Sequence, residues 1–509
     1  MKRIIYQTLI LFFATNIQAF DGISTKSIGL GGAVTATPPG LMAIHHNPSG
    51  LSQAREGFVY YQGLHAMAFK RKNQFSPDNS FQVLGISASQ DPVANHESAS
   101  GNTCLYYPIY GDAHGGIQIL PLPTGMTFRP QNSRWIFATG VYMPFLQGIQ
   151  FEADDPSQYQ TQSYYQQHLV YASPSIAYHW SESFSLGMSV GIGQTAWGQS
   201  ANLRIINDRF SQSYFLPPIP NIGPFDGFSH MQWQLRDDFS MSFNLGILWA
   251  PANNLTVGCV YRSAIPTQPK GQLEIHFSDD FMTLTRYCRN HRGFSSQLNA
   301  YGLENIDQQH SVHSVSMDQF KWPDSFQIGL QYDWSRNLCI MFDIQWTRWS
   351  HQNDYQLVFQ NKDNPLFLLM DILDQPVDDR IVYPRKMKDT ISYHLGMEWQ
   401  VKESFKLRAG VSYHPQTVSD SHMSLMDIPD KIFMGTGFEW RWPNRWVIEQ
   451  AVGIYLSTDK TIDNGSSQSL NQLDMKRSYF SPYGGQQVSS QAFGVIFSMN
   501  VRVPLSLLE

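Results

Sequence analysis

The chain has 509 residues, 42% of them hydrophobic and only 15% charged, where an ordinary soluble domain carries roughly 25% charged residues. A net charge of −6 gives no electrostatic case for a nucleic-acid partner, and a mean hydropathy of −0.29 argues against a helical membrane bundle. Little charge, 14% aromatics and 37 glycines point to a β protein whose strands alternate apolar and polar faces, the pattern an outer-membrane barrel requires.

Residues 1–19 carry Lys2 and Arg3, an apolar stretch from Ile4 to Ala14, and Ala19 at a cut site. This is the layout of a secretory signal peptide, which predicts a mature chain starting at Phe20. No later stretch approaches the roughly 18 apolar residues of a membrane helix. Residues 20–56 do not alternate. Gly and Pro dominate in Gly29-Leu-Gly-Gly-Ala33, Pro38-Pro-Gly40 and Asn47-Pro-Ser-Gly-Leu51. Such a stretch is unsuited to a wall strand yet too apolar for a free tail, so it is expected inside the lumen as a small plug. At its Asn47-Pro48 turn, Asn bonds its own turn, Pro fixes φ and Gly50 is expected to permit a sharp bend.

From residue 57 to 509 strand-like segments follow one another. Ser185 to Gly193 sets Leu186, Met188, Val190 and Ile192 against Ser and Gly, a period of two. Phe243 to Trp249, Phe326 to Tyr332, Ile340 to Trp346, Tyr393 to Trp399, Phe405 to Tyr413, Phe433 to Trp440 and Phe493 to Val503 repeat it. Short turns join pairs at 249–255, 333–337 and 400–404, and long polar connections are expected at 204–235, 279–318, 352–388 and 457–490. That asymmetry is the barrel's. About fifteen segments qualify, and an even number is needed, so one candidate within 75–130 is not a wall strand. A secreted β sandwich would alternate too. Aromatics near strand ends favour the barrel's interfacial girdles: Tyr60, Tyr61, Trp180, Trp249, Trp334, Trp346, Trp349, Trp399, Trp440 and Trp446.

The motifs then become specific. Gly29-Leu-Gly-Gly-Ala33 with Asn47-Pro-Ser-Gly-Leu51 resembles the N-terminal hatch of the FadL/OmpP1/TodX family of outer-membrane long-chain fatty acid and hydrophobic-compound transporters. Gly140-Val-Tyr-Met-Pro-Phe145, Ser173-Pro-Ser-Ile-Ala-Tyr178, Tyr261-Arg-Ser263, Trp322-Pro-Asp-Ser-Phe326, Trp346-Thr-Arg-Trp-Ser350, Leu407-Arg-Ala-Gly410 and Ile428-Pro-Asp430 resemble the family's later segments in order. The resemblance implies an all-β, transmembrane antiparallel barrel of about fourteen strands with the hatch in its lumen. The domains would be a signal peptide at 1–19, the hatch at 20–56 and the barrel at 57–509. It implies Phe20, Asn47, Pro48 and Gly50 as hatch residues, and Tyr142, Pro144 and Phe145 as a kink that opens the wall. Pro144 cannot donate to a ladder; Pro121 and Pro123 share that chemistry, and Pro144 could instead mark a strand end. Two features depart from the family. The chain closes on Val503-Pro-Leu-Ser-Leu-Leu-Glu509, without a terminal aromatic. Ala196 and Trp197 also stand where a carboxylate-binding base would be sought.

The function expected is transport, with a hydrophobic small molecule or fatty acid as ligand. The other expected partners are outer-membrane lipid and the barrel-assembly machinery, with no nucleic acid and no cofactor. A lipid-modifying enzyme and an adhesive barrel are the alternatives. The match Gly187-Met-Ser-Val-Gly191 lies inside an alternating strand with no helix behind it to form a nucleophile elbow, so Ser189 is expected to face the lumen. His45 and His46 lack a third ligand for a metal. Asp154-Asp155 and Asp378-Asp379 are expected in solvated loops. Cys104, Cys259, Cys288 and Cys339 form no CxxC. Cys259 and Cys339 fall in strands, and a Cys104–Cys288 bridge is conceivable.

Overall fold

The computed structural model describes residues 23–83, 85–204, 223, 225–280, 282–283, 286, 309–360, 380–443, 446–472 and 481–505. The signal-peptide stretch, Phe20, Cys288 and Asp378-Asp379 lie outside the described residues. Fourteen antiparallel passes close into one barrel. They are β1 (Gly57–Pro77), β2 (Thr124–Arg129), β3 (Trp135–Gln150), β4 (Ser163–Ala172 and Ser175–Ser181), β5 (Phe184–Arg204), β6 (Gly227–Ala252) and β7 (Leu255–Arg262 and Lys270–Phe277). Then come β8 (His310–Asp318 and Ser325–Ser335), β9 (Leu338–Thr347 and Asp354–Phe359), β10 (Arg380–Pro384 and Thr390–Lys402), β11 (Phe405–His414), β12 (Lys431–Arg441), β13 (Val447–Ser457) and β14 (Gln486–Pro504). Closure is a continuous β1–β14 ladder from Val59↔Pro504 to Pro77↔Gln486.

The wall is inverted relative to a water-soluble protein. Along β10, Ile391, Tyr393, Leu395, Met397 and Trp399 point outward and are close to half exposed, while Ser392 and His394 between them are buried inside. β6 repeats this with Phe239, Met241, Phe243, Leu245, Ile247 and Trp249 outside and Ser240 and Asn244 inside. Leaving such side chains in water forgoes roughly 1.5–3 kcal/mol each, so the surrounding medium must be apolar. This separates the barrel from the secreted sandwich. Trp180, Trp249, Trp334, Trp399 and Trp440 are exposed near the short-turn ends, as a girdle requires. Tyr61 and Trp349 are not girdle residues: both are buried, Tyr61 on the inner face of β1 and Trp349 in a 3-10 helix, Trp349–Gln352, between the two halves of β9.

The strands outrun the sequence pattern. β5 continues to Arg204 and β6 begins at Gly227; β8 begins at His310; β9 runs to Phe359, β10 begins at Arg380 and β14 at Gln486. The expected connections at 204–235, 279–318, 352–388 and 457–490 are therefore too long at their ends. Beyond the apolar band the outward face meets water, so it carries His, Ser and Gln and loses its alternation. Within 75–130, only Thr124–Arg129 is a full wall pass. Glu97–Ala99 and Gln118–Leu120 pair briefly along β1, and Thr103–Tyr107 with Gly111–Gly115 forms a separate hairpin. Cys104 is a buried free thiol in that hairpin; Cys259 and Cys339 lie in β7 and β9. Asp155 caps the short helix Pro156–Tyr159 and accepts from Ser98 Oγ and Ala99 N.

Candidate functional site

Residues 23–52 are mostly buried against the inner faces of the barrel strands, and Gln53, Arg55 and Glu56 are exposed. Ser24 caps a short helix α1 (Thr25–Gly29), and α2 (Ala43–His46) leads into a 3-10 helix, Pro48–Gln53. Among the described residues no regular ladder ties this segment to the wall, so its backbone groups need other partners. Polar side chains on the inner faces of the strands supply them. His394 Nδ1 lies 2.9 Å from the Gly31 carbonyl. Asp343 Oδ2 accepts from the Val34 and Thr35 amides at 3.1 and 2.8 Å. Ser189 Oγ and Asn244 Nδ2 donate to the Ile44 carbonyl at 2.6 and 3.0 Å. Arg262 donates to the His45 and His46 carbonyls at 3.0 and 3.3 Å. Thr25 Oγ1 meets Ser498 Oγ at 2.7 Å. Burial holds the His45 and His46 imidazoles well below their ordinary pKa, with the Arg262 charge adding to the effect.

Glycines let the segment lie flat on the wall. Gly396, Gly410, Gly435 and Gly453 stand in register across β10 to β13. A Cβ on Gly410 would sit 2.1 Å from the Leu30 carbonyl carbon, and one on Gly435 1.7 Å from the Ile28 oxygen. Gly187 and Gly246 make the same room for Pro48 and Asn47.

Asn47 ties two parts of this segment to each other and to the wall. Its Nδ2 donates to Thr35 O at 2.8 Å and to Ile247 O of β6 at 3.0 Å, and its Oδ1 caps Ser49. Pro48 opens the 3-10 helix that follows. Gly50 does not mark a bend that needs a left-handed residue. Its Cβ would strike the Pro38 ring at 2.5 Å, so close packing explains it.

Tyr142 packs on His45 of the segment with ring centroids 5.4 Å apart, and Pro144 and Phe145 line a small cavity beside them. Tyr142 pairs with Val170 and Phe145 with His168, so Met143 and Pro144 form a bulge in β3. The β2 ladder stops at Val141. Beyond it, among the described residues, β3 meets a backbone partner on that side only at the Gln150–Asn102 bridge. The interval is filled by apolar side chains and, at Gly148, by the Cys104 carbonyl. Met143, Leu146, Leu105 and Leu120 join Met67 and Phe69 of β1 and Leu41, Met42 and Ile44 of the inner segment in one buried apolar cluster.

Two small cavities sit above the segment. One of about 50 Å3 is lined by His45, Tyr142, Pro144, Phe145 and Arg262 among others. The next, about 20 Å3, is lined by Phe145, Gln147, Trp322, Tyr355 and Arg385. Phe145 borders both and stacks on Trp322 with centroids 4.6 Å apart. Met423, Leu425 and Met426 cover the lumen from above, held by Gln147 Nε2 donating to Met426 O at 2.8 Å and by the Arg385–Asp427 ion pair. These spaces fall far below the roughly 300–1,000 Å3 of a ligand pocket, so this is a closed arrangement. A larger cavity of about 420 Å3 lies at the other end of the segment, where Arg408 is paired with Glu398, Glu439 and Glu449.

Sequence reasoning sought a lumenal base near Ala196 and Trp197 and missed Arg262. Trp197 faces the apolar lumen cluster and Ala196 packs on Cys104 and Tyr165. It also missed Asp343, His394 and Asn244. Their signal was a polar residue at an inward position of an apolar-outward strand. Ser189 does face the lumen, where its hydroxyl is engaged by Ile44.

A family model described as "Outer membrane protein transport protein (OMPP1/FadL/TodX)" matches residues 29–504. A putative outer membrane protein of Neisseria meningitidis serogroup B is 21% identical over 241 residues, 47% of each chain. The chain thus spans about half the length of the curated relative it matches. Among solved structures, a Pseudomonas aeruginosa FadL homologue superposes with a TM-score of 0.69 at 17% identity, covering 96% of this chain and 99% of that one. The P. putida toluene transporter TodX gives 0.60 at 14%, covering 95% and 99%. With a family model covering most of its length and the family's barrel around its lumen, the chain belongs to the OmpP1/FadL/TodX family of outer-membrane transport proteins.

Proposed function

We propose that the protein carries hydrophobic small molecules or fatty acids across the outer membrane, with residues 20–56 as a movable hatch and the β1–β3 interval as a sideways exit into lipid. The observation that carries this reading is the apolar cluster running without interruption from Leu41, Met42 and Ile44 to Met143 and Leu146 at the wall. An apolar solute in a watery pore keeps its surface wet, at roughly 25 cal/mol per Å2. A route lined by Leu, Met and Phe removes that cost, and lipid at its end accepts the cargo. The small cavities mean that ligand enters only as Phe145, Trp322 or the hatch gives way. Insertion by the barrel-assembly machinery belongs to the same reading. Asn47 and Pro48 seat the hatch, Gly50 packs it on Pro38, and Phe20 would extend it.

Uptake of radiolabelled oleate and toluene by cells carrying Leu146→Glu tests the exit. A charge in the apolar interval should cut uptake of both, while heat-modifiable gel mobility shows a folded barrel. Undiminished uptake by the folded variant removes the β1–β3 route.

A further inference from the structure

Outside the lumen, two histidines and a glutamate converge where β7 meets β8. His276 and His310 stand directly opposite each other in the ladder, and Glu274 precedes His276 by two residues on the same face. The Nε2 atoms of His276 and His310 lie 3.9 and 3.6 Å from the same carboxylate oxygen, Glu274 Oε2. Both separations exceed hydrogen-bond length. All three side chains are about half exposed, and among the described residues this is the one group of three whose donor atoms lie within 4.8 Å of one another. His230 of β6 stands opposite His276 on its other side.

From this geometry we propose a surface site for a divalent cation of the zinc type, held by Glu274, His276 and His310. A tetrahedral ion with donors at about 2.0–2.1 Å sets its donors about 3.4 Å apart, so the glutamate–histidine distances need to shorten by only a few tenths of an ångström. The imidazoles are stacked 4.1 Å apart at 11°, and two parallel rings aim their lone pairs the same way. One ring must turn about its Cβ–Cγ bond, which its exposure allows. Two imidazoles select zinc, nickel or copper over calcium or magnesium, which take oxygen donors. One carboxylate and two neutral imidazoles leave a single negative charge for the ion to meet, and water completes the coordination. The ion would cross-link the outer ends of β7 and β8. This inference is independent of the transport reading.

Zinc bound per chain is measured on tag-free, detergent-purified full-length protein, by equilibrium dialysis with elemental analysis. The site predicts one zinc that the H276A/H310A double variant loses and that Glu274→Gln binds more weakly, with gel mobility confirming folded barrels. Equal zinc on wild type and double variant, or none on wild type, overturns it. The 16 histidines of the chain make the difference between the two proteins, rather than total zinc, the decisive reading.

Discussion

At Gly435 the available space is set by a single backbone oxygen, that of Ile28. A Val side chain there would push the inner segment off the wall or distort β12, and overpacking of this kind costs about 1–3 kcal/mol. Gly435→Val should therefore lower the unfolding temperature in detergent. Gly116→Ala is the control, since its nearest neighbour to an added Cβ is 3.9 Å away, and it should leave that temperature unchanged. Equal behaviour of the two would remove the packing argument. A central glycine recurs visibly in Leu186-Gly187, Leu245-Gly246, Leu395-Gly396 and Ala409-Gly410, but period-two reading assigns it only to the non-apolar face. That the glycines touch a common partner requires the register between strands. Arg262 was equally hidden: its triplet was legible, but its reach to His45 and His46 depends on residues 216 and 217 positions away.

β3 carries two different environments on one strand. The β2 ladder runs along it from Phe137 to Val141 and β4 pairs with it at Trp135–Ala138, and from Tyr142 onward it keeps β4 alone until Gln150. Amides between Met143 and Ile149 that point away from β4 have no ladder partner among the described residues. They should exchange hydrogen faster than amides of β6 at the same depth, by mass spectrometry in detergent. Uniform protection along β3 would mean the ladder is complete. Pro144 was legible as a residue that cannot donate; the bulge around it was not, because it is a count of residues on two strands at once. Strand ends were misplaced wherever the outward face left the apolar band. In Ser311-Val-His-Ser-Val-Ser316 the polar residues sit on both faces, so no alternation marks the strand there.

For the whole molecule, the barrel was legible because lipid imposes one rule along every strand: apolar outward, polar or small inward. The inner segment was legible by exclusion, as a stretch that fits neither wall nor water. Its seating was not, since the side chains that hold it are drawn from β5, β6, β7, β9, β10 and β14. The bond between Thr25 and Ser498 spans 473 positions, and others reach Asp343 and His394. The segment's partners are therefore spread over the whole barrel, and the set is complete only when the Ser498 strand is in place. Until then part of the seat is missing, and the segment is expected to stay open to attack. Trypsin should cut after Lys26 in the urea-unfolded chain and fail to do so once refolding into detergent is complete. Resistance at Lys26 before closure would show a leader that folds alone. Protection of the inner segment thus rests on a strand made hundreds of residues after it.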